Sequence, residues 1–322
     1  MNSLLDPSIL FFVFGLLAGA LRSNLEIPPP ISRFLSLYLL MALGLKGGFA
    51  LAKSGLTAEV AQSLACALLL ATVVPALGYL LLRRLLNGFD AAAVAATYGS
   101  VSAVTFITAV QYTEAHGLAP GGHMAAAMAL MESPAIVMAV VLANLVRRQQ
   151  GTGTAAAPLR QVLHESLTDG AQLLLLGAMA VGLLTGEAGQ RAMQPFSVDL
   201  FKGMLAFFLL DMGLLAARNA APLRRMPPAL LVYALGGPLL HAGLALALAA
   251  AVGLSAGNGA LLMELAASAS YIAVPAVLRQ AIPEAQPALY FGMSLGLTFP
   301  FNILLGIPLY TAVAQRVLAA PA

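Results

Sequence analysis

The sequence predicts an all-α polytopic membrane protein, and its composition, hydropathy and apolar segment lengths all point to that class. Hydrophobic residues make up 60% of the 322 residues and charged residues only 9%, and the mean hydropathy is +0.90. A globular surface needs far more charge than this. Stretches long enough to cross a bilayer, about 20 residues each, occupy almost the whole chain. We predict ten membrane spans, at 7–24, 31–51, 58–83, 90–114, 121–146, 169–186, 197–217, 228–253, 258–280 and 287–315.

The first span is predicted to be a permanent helix rather than a cleavable signal peptide. Its flank, MNSLLDPS, carries no basic residue, and no small-residue cleavage site follows. Arginine and lysine then orient the spans, because connections that carry them stay in the cytoplasm. Such residues are concentrated on connections 1–2, 3–4, 5–6, 7–8 and 9–10. We therefore expect a multi-pass protein of a bacterial inner membrane with both termini on the periplasmic side.

The polar segment 151–168 is predicted to be a cytoplasmic linker between two halves, 1–150 and 169–322. Each half holds five predicted spans. Because that number is odd, the second half lies upside down relative to the first, which is the inverted-repeat layout of many transporters. A constant offset of 166 supports the repeat, since it matches Gly47 to Gly213, Ala50 to Ala216, Ser102 to Ser268 and Pro134 to Pro300.

Spans four and nine each contain small and polar residues at mid-span, GSVSAVT at 99–105 and ASASYIAVP at 267–275. Such residues are typical of a broken helix, and Pro275 removes a backbone donor there. The half-helix after a break begins with free N–H groups, which favour an anion. The alternative is that the serines only bond back to their own helix or permit close packing. The predicted anion-binding residues are Gly99, Ser100, Val101, Ser102, Ala267, Ser268, Ala269, Ser270 and Tyr271.

Glu132 lies in the middle of span five, where a carboxylate is costly unless it is paired or functional. The offset of 166 places Thr298 of span ten at the matching position. Oxygen ligands beside a broken helix suit a hard cation such as sodium, and a carboxylate also takes a proton. The alternative is a helix-pairing role in which a neighbouring hydroxyl satisfies Glu132. The predicted sodium-binding residues are Thr105, Glu132, Ser133, Thr298 and Asn302.

Two further charges, Lys46 and Asp211, lie deep within their predicted spans, and Glu264 opens span nine. Lys46 and Asp211 are expected to pair or to lie near the substrate path, unless Lys46 snorkels to the interface. Glu264 is expected to stabilise a helix N-terminus. The sequence contains no Walker A, GxSxG, HExxH or zinc-ligand spacing, so ATP-driven transport and common enzyme chemistry lack support. Its scattered basic residues do not indicate nucleic-acid binding, and we expect no cofactor besides sodium as a coupling ion.

The residues resemble those of the sodium-dependent bicarbonate transporter family typified in cyanobacteria and found in proteobacteria. The likeness rests on GLKGGFALAKSGLT, YGSVSAVTFITA, MESPAIVMAVVLANL and ASASYIAVPAVLRQAIPEAQPALY. It implies a core domain, containing broken helices four and nine, that moves against a gate or scaffold domain in an elevator-like way. It also implies a homotrimer, a PII-like cytoplasmic regulator, and bicarbonate bound at the breaks together with sodium. Tyr271 stands where the cyanobacterial members carry an aspartate.

Several functions remain open on these residues. A sodium-coupled bicarbonate symporter working by alternating access is the first hypothesis. The same fold also suits a sodium- or proton-coupled carrier of another small anion, or a cation/proton exchanger that uses Glu132. An anion sensor or an intramembrane enzyme is the remaining class, but the sequence offers neither an output domain nor a catalytic pair.

Overall fold

The computed structural model describes residues 6–150, 170–219 and 226–318, and within these ranges it contains helices and no strands. The predicted linker, 151–168, lies outside the described residues. The helices are α1 (Pro7–Ala20), α2 (Pro29–Ser54), α3 (Ala58–Leu82), α4 (Gly88–Gly99), α5 (Ala103–Ala115), α6 (Met124–Gln150), α7 (Gly170–Gln194), α8 (Phe201–Arg218), α9 (Pro228–Val252), α10 (Ala256–Ala267), α11 (Ala273–Ala281) and α12 (Pro287–Val317).

The prediction of an α-helical membrane protein is confirmed. Among the described residues, seven helical stretches are long and apolar enough to cross a membrane. Two of them, Gly88–Ala115 and Gly170–Arg218, each contain two of the helices named above. α1 has only 14 residues and α10 only 12, which is shorter than a typical span of about 20. The chain is therefore a multi-pass membrane protein, while the number of ten spans stays a prediction.

Two close helix pairs form one part of the molecule, because α1 packs along α8 and α2 along α7. Glycines allow the backbones to approach. A Cβ added to Gly15 would lie 2.3 Å from the Leu210 carbonyl oxygen, and one added to Gly48 would lie 2.1 Å from that of Met179. Small residues are the usual contact between membrane helices, since lipid provides no hydrophobic force between them. Substituting either glycine would force the paired helices apart.

The remaining helices form a second packed group around the short helices α4 and α10. α4 packs on α3 and α6, and α10 packs on α9 and α12. All residues of α4 from Asp90 to Gly99 are buried, as are those of α10 from Gly257 to Ala267. A helix that is apolar and buried on every side lies inside the protein rather than against lipid. Both helices consequently end in the protein interior, where their last carbonyl groups need partners.

Backbone irregularities mark the second half of the chain. Gly186 has φ 52°, which divides α7 at a kink, and glycine adopts such a conformation without a Cβ penalty. α12 contains two π-helical segments, Ser294–Thr298 and Asn302–Gly306. π-Helical turns are often found at functional sites. Here they bring Thr298 and Asn302 toward the helices around α10.

Candidate functional site

The first helix break is short and is capped by its own side chains. α4 ends at Gly99, the backbone of Ser100 is extended with φ −100° and ψ −176°, and α5 begins at Ala103. Ser102 caps α5, because its Oγ accepts the Thr105 N–H at 3.3 Å and the Thr105 hydroxyl at 2.8 Å. Serine is among the preferred residues at this position. Local sequence thus accounts for both the end of α4 and the start of α5.

The second break is longer, since residues 268–272 separate α10 from α11. The Ser270 Oγ accepts the Val274 N–H at 3.2 Å, which satisfies a donor in the first turn of α11. Pro275 also lies in that first turn. Its missing N–H costs nothing there, because the first N–H groups of a helix have no partner within the helix. Pro275 therefore suits the start of a helix that follows a break.

The two breaks contact each other directly. The Ser102 N–H donates to the Ser268 Oγ at 3.2 Å, and the Ser268 hydroxyl donates to the Leu265 carbonyl at 3.1 Å. The Ser270 N–H donates to the Thr97 carbonyl at 2.8 Å. Thr97 lies in the last turn of α4, where carbonyl groups lack partners within the helix. Each break therefore satisfies polar backbone groups or side chains of the other, as the membrane interior requires.

A cavity of about 190 Å³ lies between the breaks and the α2/α7 pair. Most of its wall is apolar, with a few polar side chains, which is typical of a site for a small ligand. α2 contributes one of these polar groups, α6 one, α7 one, and the two breaks contribute the others. The polar lining residues are Ser36, Ser102, Glu132, Gln172, Ser270 and Tyr271.

Two helix N-termini line this cavity. Ala103 and Val104, in the first turn of α5, form part of its wall, and so does Ala273 at the start of α11. The first turn of a helix carries a partial positive charge, which favours an anion, and at these two N-termini the Thr105 and Val274 N–H groups are already bonded to Ser102 and Ser270. The Ser102 and Ser270 hydroxyl groups lie beside these two N-termini. The cavity is therefore suited to a small anion that accepts several hydrogen bonds.

Glu132 brings a carboxylate to the same cavity. Its side chain is 9% exposed, and its Oε2 accepts a hydrogen bond from Gln172 Nε2 of α7. An anion next to a carboxylate is unfavourable unless a cation or a proton lies with them. Gln172 was not among the sequence-predicted residues, because it lies four residues after the predicted linker and outside the polar motifs at mid-span.

Among the side chains that the structure describes, the predicted sodium ligands do not lie together. Thr298 lies 2.5 Å from the Tyr98 hydroxyl, and Asn302 donates to the Ala267 carbonyl at 2.9 Å. Neither residue lines the cavity that contains Glu132. Thr105 is hydrogen bonded to Ser102, as described above, and the side chain of Ser133 lies outside the described residues. Asn302 instead satisfies the last carbonyl of α10, which explains a buried amide at that depth.

The predicted anion ligands also separate into two groups. Val101, Ser102, Ser270 and Tyr271 line the cavity, whereas the others are packed behind it. A Cβ on Gly99 would lie 2.5 Å from the Pro75 side chain, so this glycine is needed for contact with α3. The buried Ser100 Oγ has no hydrogen-bond partner among the described residues. The packed group consists of Gly99, Ser100, Ala267, Ser268 and Ala269.

Two other sequence expectations are also resolved. Lys46 pairs with Glu114 at 3.0 Å, and its Nζ lies 5.3 Å from the centre of the Phe201 ring, so its ion pair is not with Asp211. The prediction that Glu264 opens a helix is wrong. α10 begins at Ala256, and Glu264 lies in its last turn, fully buried.

The profile of the Na+-dependent bicarbonate transporter superfamily matches residues 7–315, nearly the whole chain. The chain belongs to this superfamily. The resemblance seen in the sequence motifs is thereby confirmed, while a search of curated proteins found no match to the chain.

Superfamily membership fixes the function at a coarse level. The protein is a Na+-dependent bicarbonate transporter at the level of the superfamily, with bicarbonate and sodium as the implied substrates. Membership in a transporter family also implies that it is not an enzyme. The cavity between two helix N-termini and Glu132 is where the chemistry of this chain is compatible with both ions.

Proposed function

We propose that the protein is a sodium-coupled bicarbonate symporter that works by alternating access. The observation that carries this proposal is that one cavity contains two helix N-termini and a carboxylate, Glu132. The N-termini favour bicarbonate and the carboxylate favours sodium. Each bound ion lowers the electrostatic free energy that is needed to bind the other, so the two ions bind cooperatively. Coupling then follows from a shared binding free energy.

In this proposal bicarbonate binds at Ser102 and Ser270, against the first turns of α5 and α11. Its oxygens accept hydrogen bonds from backbone N–H groups, and its hydroxyl donates to an acceptor in the cavity wall. Sodium binds on the α6 side, with Glu132 as its charged ligand and Gln172 holding that carboxylate in place. Thr298 and Asn302 are not ligands here, because their hydrogen bonds lie elsewhere.

The packing of the helices supports two inverted halves of five spans each. At an offset of 166, α1 corresponds to the first part of α7 and α2 to α8. The contacts match this correspondence. α1 packs on α8, and the helices that correspond to them, α7 and α2, also pack on each other. Gly15 meets Gly213 in one pair, and Gly48 meets Gly182 in the other. α4 and α10, which precede the two breaks, correspond in the same way.

A second cavity supports alternating access. It measures about 290 Å³ and lies between α2 and α5, lined by Lys46, Lys53 and Glu114 but by no residue of either break. By the distribution of arginine and lysine, this cavity lies on the periplasmic side and the one at Glu132 on the cytoplasmic side. An elevator-like movement of the broken helices past the α1/α8 and α2/α7 pairs would close one cavity and open the other.

The family resemblance extends the proposal to assembly and location. We propose a homotrimer in a bacterial inner membrane, surrounded by lipid, with both termini periplasmic. The resemblance also suggests a PII-like regulator on the cytoplasmic side. The mass of the purified particle in detergent tests the trimer, and a monomeric mass would contradict it.

Uptake of radiolabelled bicarbonate by proteoliposomes tests the transport proposal. An inward sodium gradient should increase uptake over an equal potassium gradient, and Glu132→Gln should remove that increase. Glu187→Gln is the matched control, because Glu187 is exposed on α7 and should leave uptake unchanged. Uptake by the wild type that does not respond to sodium would overturn the proposal.

The carboxylate in the cavity also favours a second candidate, the exchange of a cation for a proton at Glu132. Vesicles free of bicarbonate and loaded with a pH-sensitive dye distinguish the two functions. An exchanger changes the internal pH when sodium is added outside, and Glu132→Gln abolishes the change. A symporter that requires bicarbonate produces no such signal.

A further inference from the structure

Glu264 is a buried carboxyl group to which the proposed transport mechanism assigns no role. It lies in the last turn of α10 and is 1% exposed. Neither of its oxygens has a hydrogen-bond partner among the described residues, and it takes part in none of the ion pairs found there. A buried polar group without any partner is rare in proteins, and a buried charge without one is very costly.

Each carboxylate on the helices packed against α10 bonds to another group, whereas the Tyr233 hydroxyl and the His241 Nδ1, both on α9, are buried without a hydrogen-bond partner among the described residues. Glu59 of α3 accepts from Asn258, and Asp90 of α4 accepts the Gln286 N–H at 2.7 Å. Tyr310 of α12 donates to Asn302 at 2.9 Å. From α4, α5 and α6 the corresponding groups are Tyr98, Glu114 and Glu132, which bond to Thr298, Lys46 and Gln172. None of these groups offsets a negative charge on Glu264.

The position of Glu264 in its helix disfavours the ionised form further. The C-terminal turn of a helix carries a partial negative charge, and α10 ends only three residues later, at Ala267. Burial and the helix end therefore both favour the neutral acid. The residue at the matching position of the first half, 166 residues earlier, is Tyr98, which is also buried and carries a neutral hydroxyl group.

We propose that Glu264 is a second coupling-ion site of the transporter and that its ligand is a proton. The inference rests on the proposed function, which places sodium at Glu132. Sodium is less suited to Glu264 because a dehydrated metal ion needs several oxygen ligands. The nearby Asn302 already uses its Oδ1 to accept from Tyr310 and its Nδ2 to bond to Ala267.

The proton would be exchanged at the second break. The Glu264 carbonyl accepts the Ser268 N–H at 2.8 Å, so Glu264 belongs to the turn that ends where the break begins. When the broken helices move and water reaches this turn, the O–H bond of the carboxyl group breaks and the proton passes to water. The carboxylate takes a proton from the opposite side in the other conformation. Transport of bicarbonate and sodium is then linked to one proton.

Infrared spectroscopy of the purified protein tests the protonation directly. The wild type should show the C=O stretch of a buried carboxylic acid across the neutral pH range. Subtracting the spectrum of Glu264→Gln should isolate that band, and Glu187→Gln serves as the exposed control. Glu264→Asp, which keeps the acid, should shift the band rather than remove it. No band in the difference spectrum would overturn the proposal, whatever the transport assays show.

Uptake in proteoliposomes tests the coupling. At constant bicarbonate and a constant sodium gradient, an imposed pH gradient should change the wild-type rate. Glu264→Gln should lose that response and lower the rate about tenfold, within the range typical of coupled sites. An equal response in the variant would contradict the proton site. Absence of sodium-driven uptake in the wild type would count against the proposed function, and the infrared result would still decide the protonation of Glu264.

Discussion

Ser102 and Ser268 occupy matching positions at the offset of 166, yet they lie at opposite ends of their breaks. Ser102 ends the first break and caps α5, whereas Ser268 begins the second break after α10. The two residues meet, because the Ser102 N–H donates to the Ser268 Oγ at 3.2 Å. The two matching serines thus contact each other through different groups, the backbone of Ser102 and the side chain of Ser268. Matching residues in an inverted repeat therefore need not have the same role.

The two breaks also differ in what holds them. Both breaks contain a serine cap, Ser102 in the first and Ser270 in the second. The second depends on more distant helices, since the Tyr271 ring packs 5.1 Å from that of Phe299 and its hydroxyl contacts the Met212 sulfur of α8 at 3.7 Å. α8 belongs to the α1/α8 pair. The second break is consequently the one that is tied to the part against which the core is proposed to move.

The largest effect is expected from removing Tyr271. Tyr271→Ala should destabilise the protein by about 3–5 kcal/mol, because it deletes a buried aromatic ring. Thr105→Ala, at the matching position of the first half, should cost only about 1 kcal/mol, since it removes one hydroxyl contact. The thermal unfolding midpoints of both variants in detergent measure the difference. Equal shifts would show that the two breaks are held in the same way.

A smaller effect is expected where the two breaks meet. Ser268→Ala should cost about 1–3 kcal/mol, because it leaves the buried Ser102 N–H unpaired. Ser102→Ala should cost about 1 kcal/mol through loss of the α5 cap. The double variant should cost about the sum of the two, because Ser102→Ala keeps the backbone N–H that donates to Ser268 and so removes a different interaction. A double variant that costs clearly less than the sum in unfolding measurements would contradict these separate roles.

The serines that line the cavity should differ from the packed ones in transport. Ser270→Ala removes a side chain from the cavity and the acceptor of the Val274 N–H, so bicarbonate uptake should fall about tenfold, or about 1.4 kcal/mol. Ser100→Ala removes a buried hydroxyl that has no hydrogen-bond partner among the described residues and should leave uptake unchanged. Uptake kinetics of both variants provide the test. A loss in Ser100→Ala alone would place the substrate behind the cavity.

The smallest effect on stability is expected in the connection after α11, where Glu284 lies. Arg147 donates to both Glu284 oxygens at 2.8 Å, and this hydrogen bonding holds the pKa of Glu284 below its ordinary value. Because the pKa is lowered in the folded state, the stabilisation is present above the unfolded pKa and is lost as pH falls through the folded pKa.

Glu284 is one-third exposed, so Glu284→Gln should cost less than about 1 kcal/mol. The difference in unfolding midpoint from the wild type should shrink on acidification. A difference that grows at low pH would contradict the ion pair as its cause.

Much of the arrangement followed from sequence alone. Apolar segment lengths gave the helices, and the small polar runs at 99–105 and 267–275 marked the positions of both breaks. The family followed from the same motifs. These features are local, because helix length and helix interruption depend on residues that are close in the chain.

Other features depended on tertiary contacts. Gln172 reaches Glu132 from a position forty residues away in sequence. Thr298 bonds to α4 and α9, and Asn302 bonds to α10. No periodicity within one span specifies which neighbouring helix a polar side chain will meet.

By itself, the sequence determined that the protein is a helical membrane transporter with two polar interruptions and a carboxylate at mid-span. The tertiary structure decided which of those polar residues face the cavity and which close the ends of α4 and α10. The physical reason is that the membrane interior supplies no water, so every polar group is satisfied by whichever neighbour the packing brings near. Packing therefore gives the two breaks different contacts and leaves Glu264 as a buried carboxyl group without a hydrogen-bond partner among the described residues.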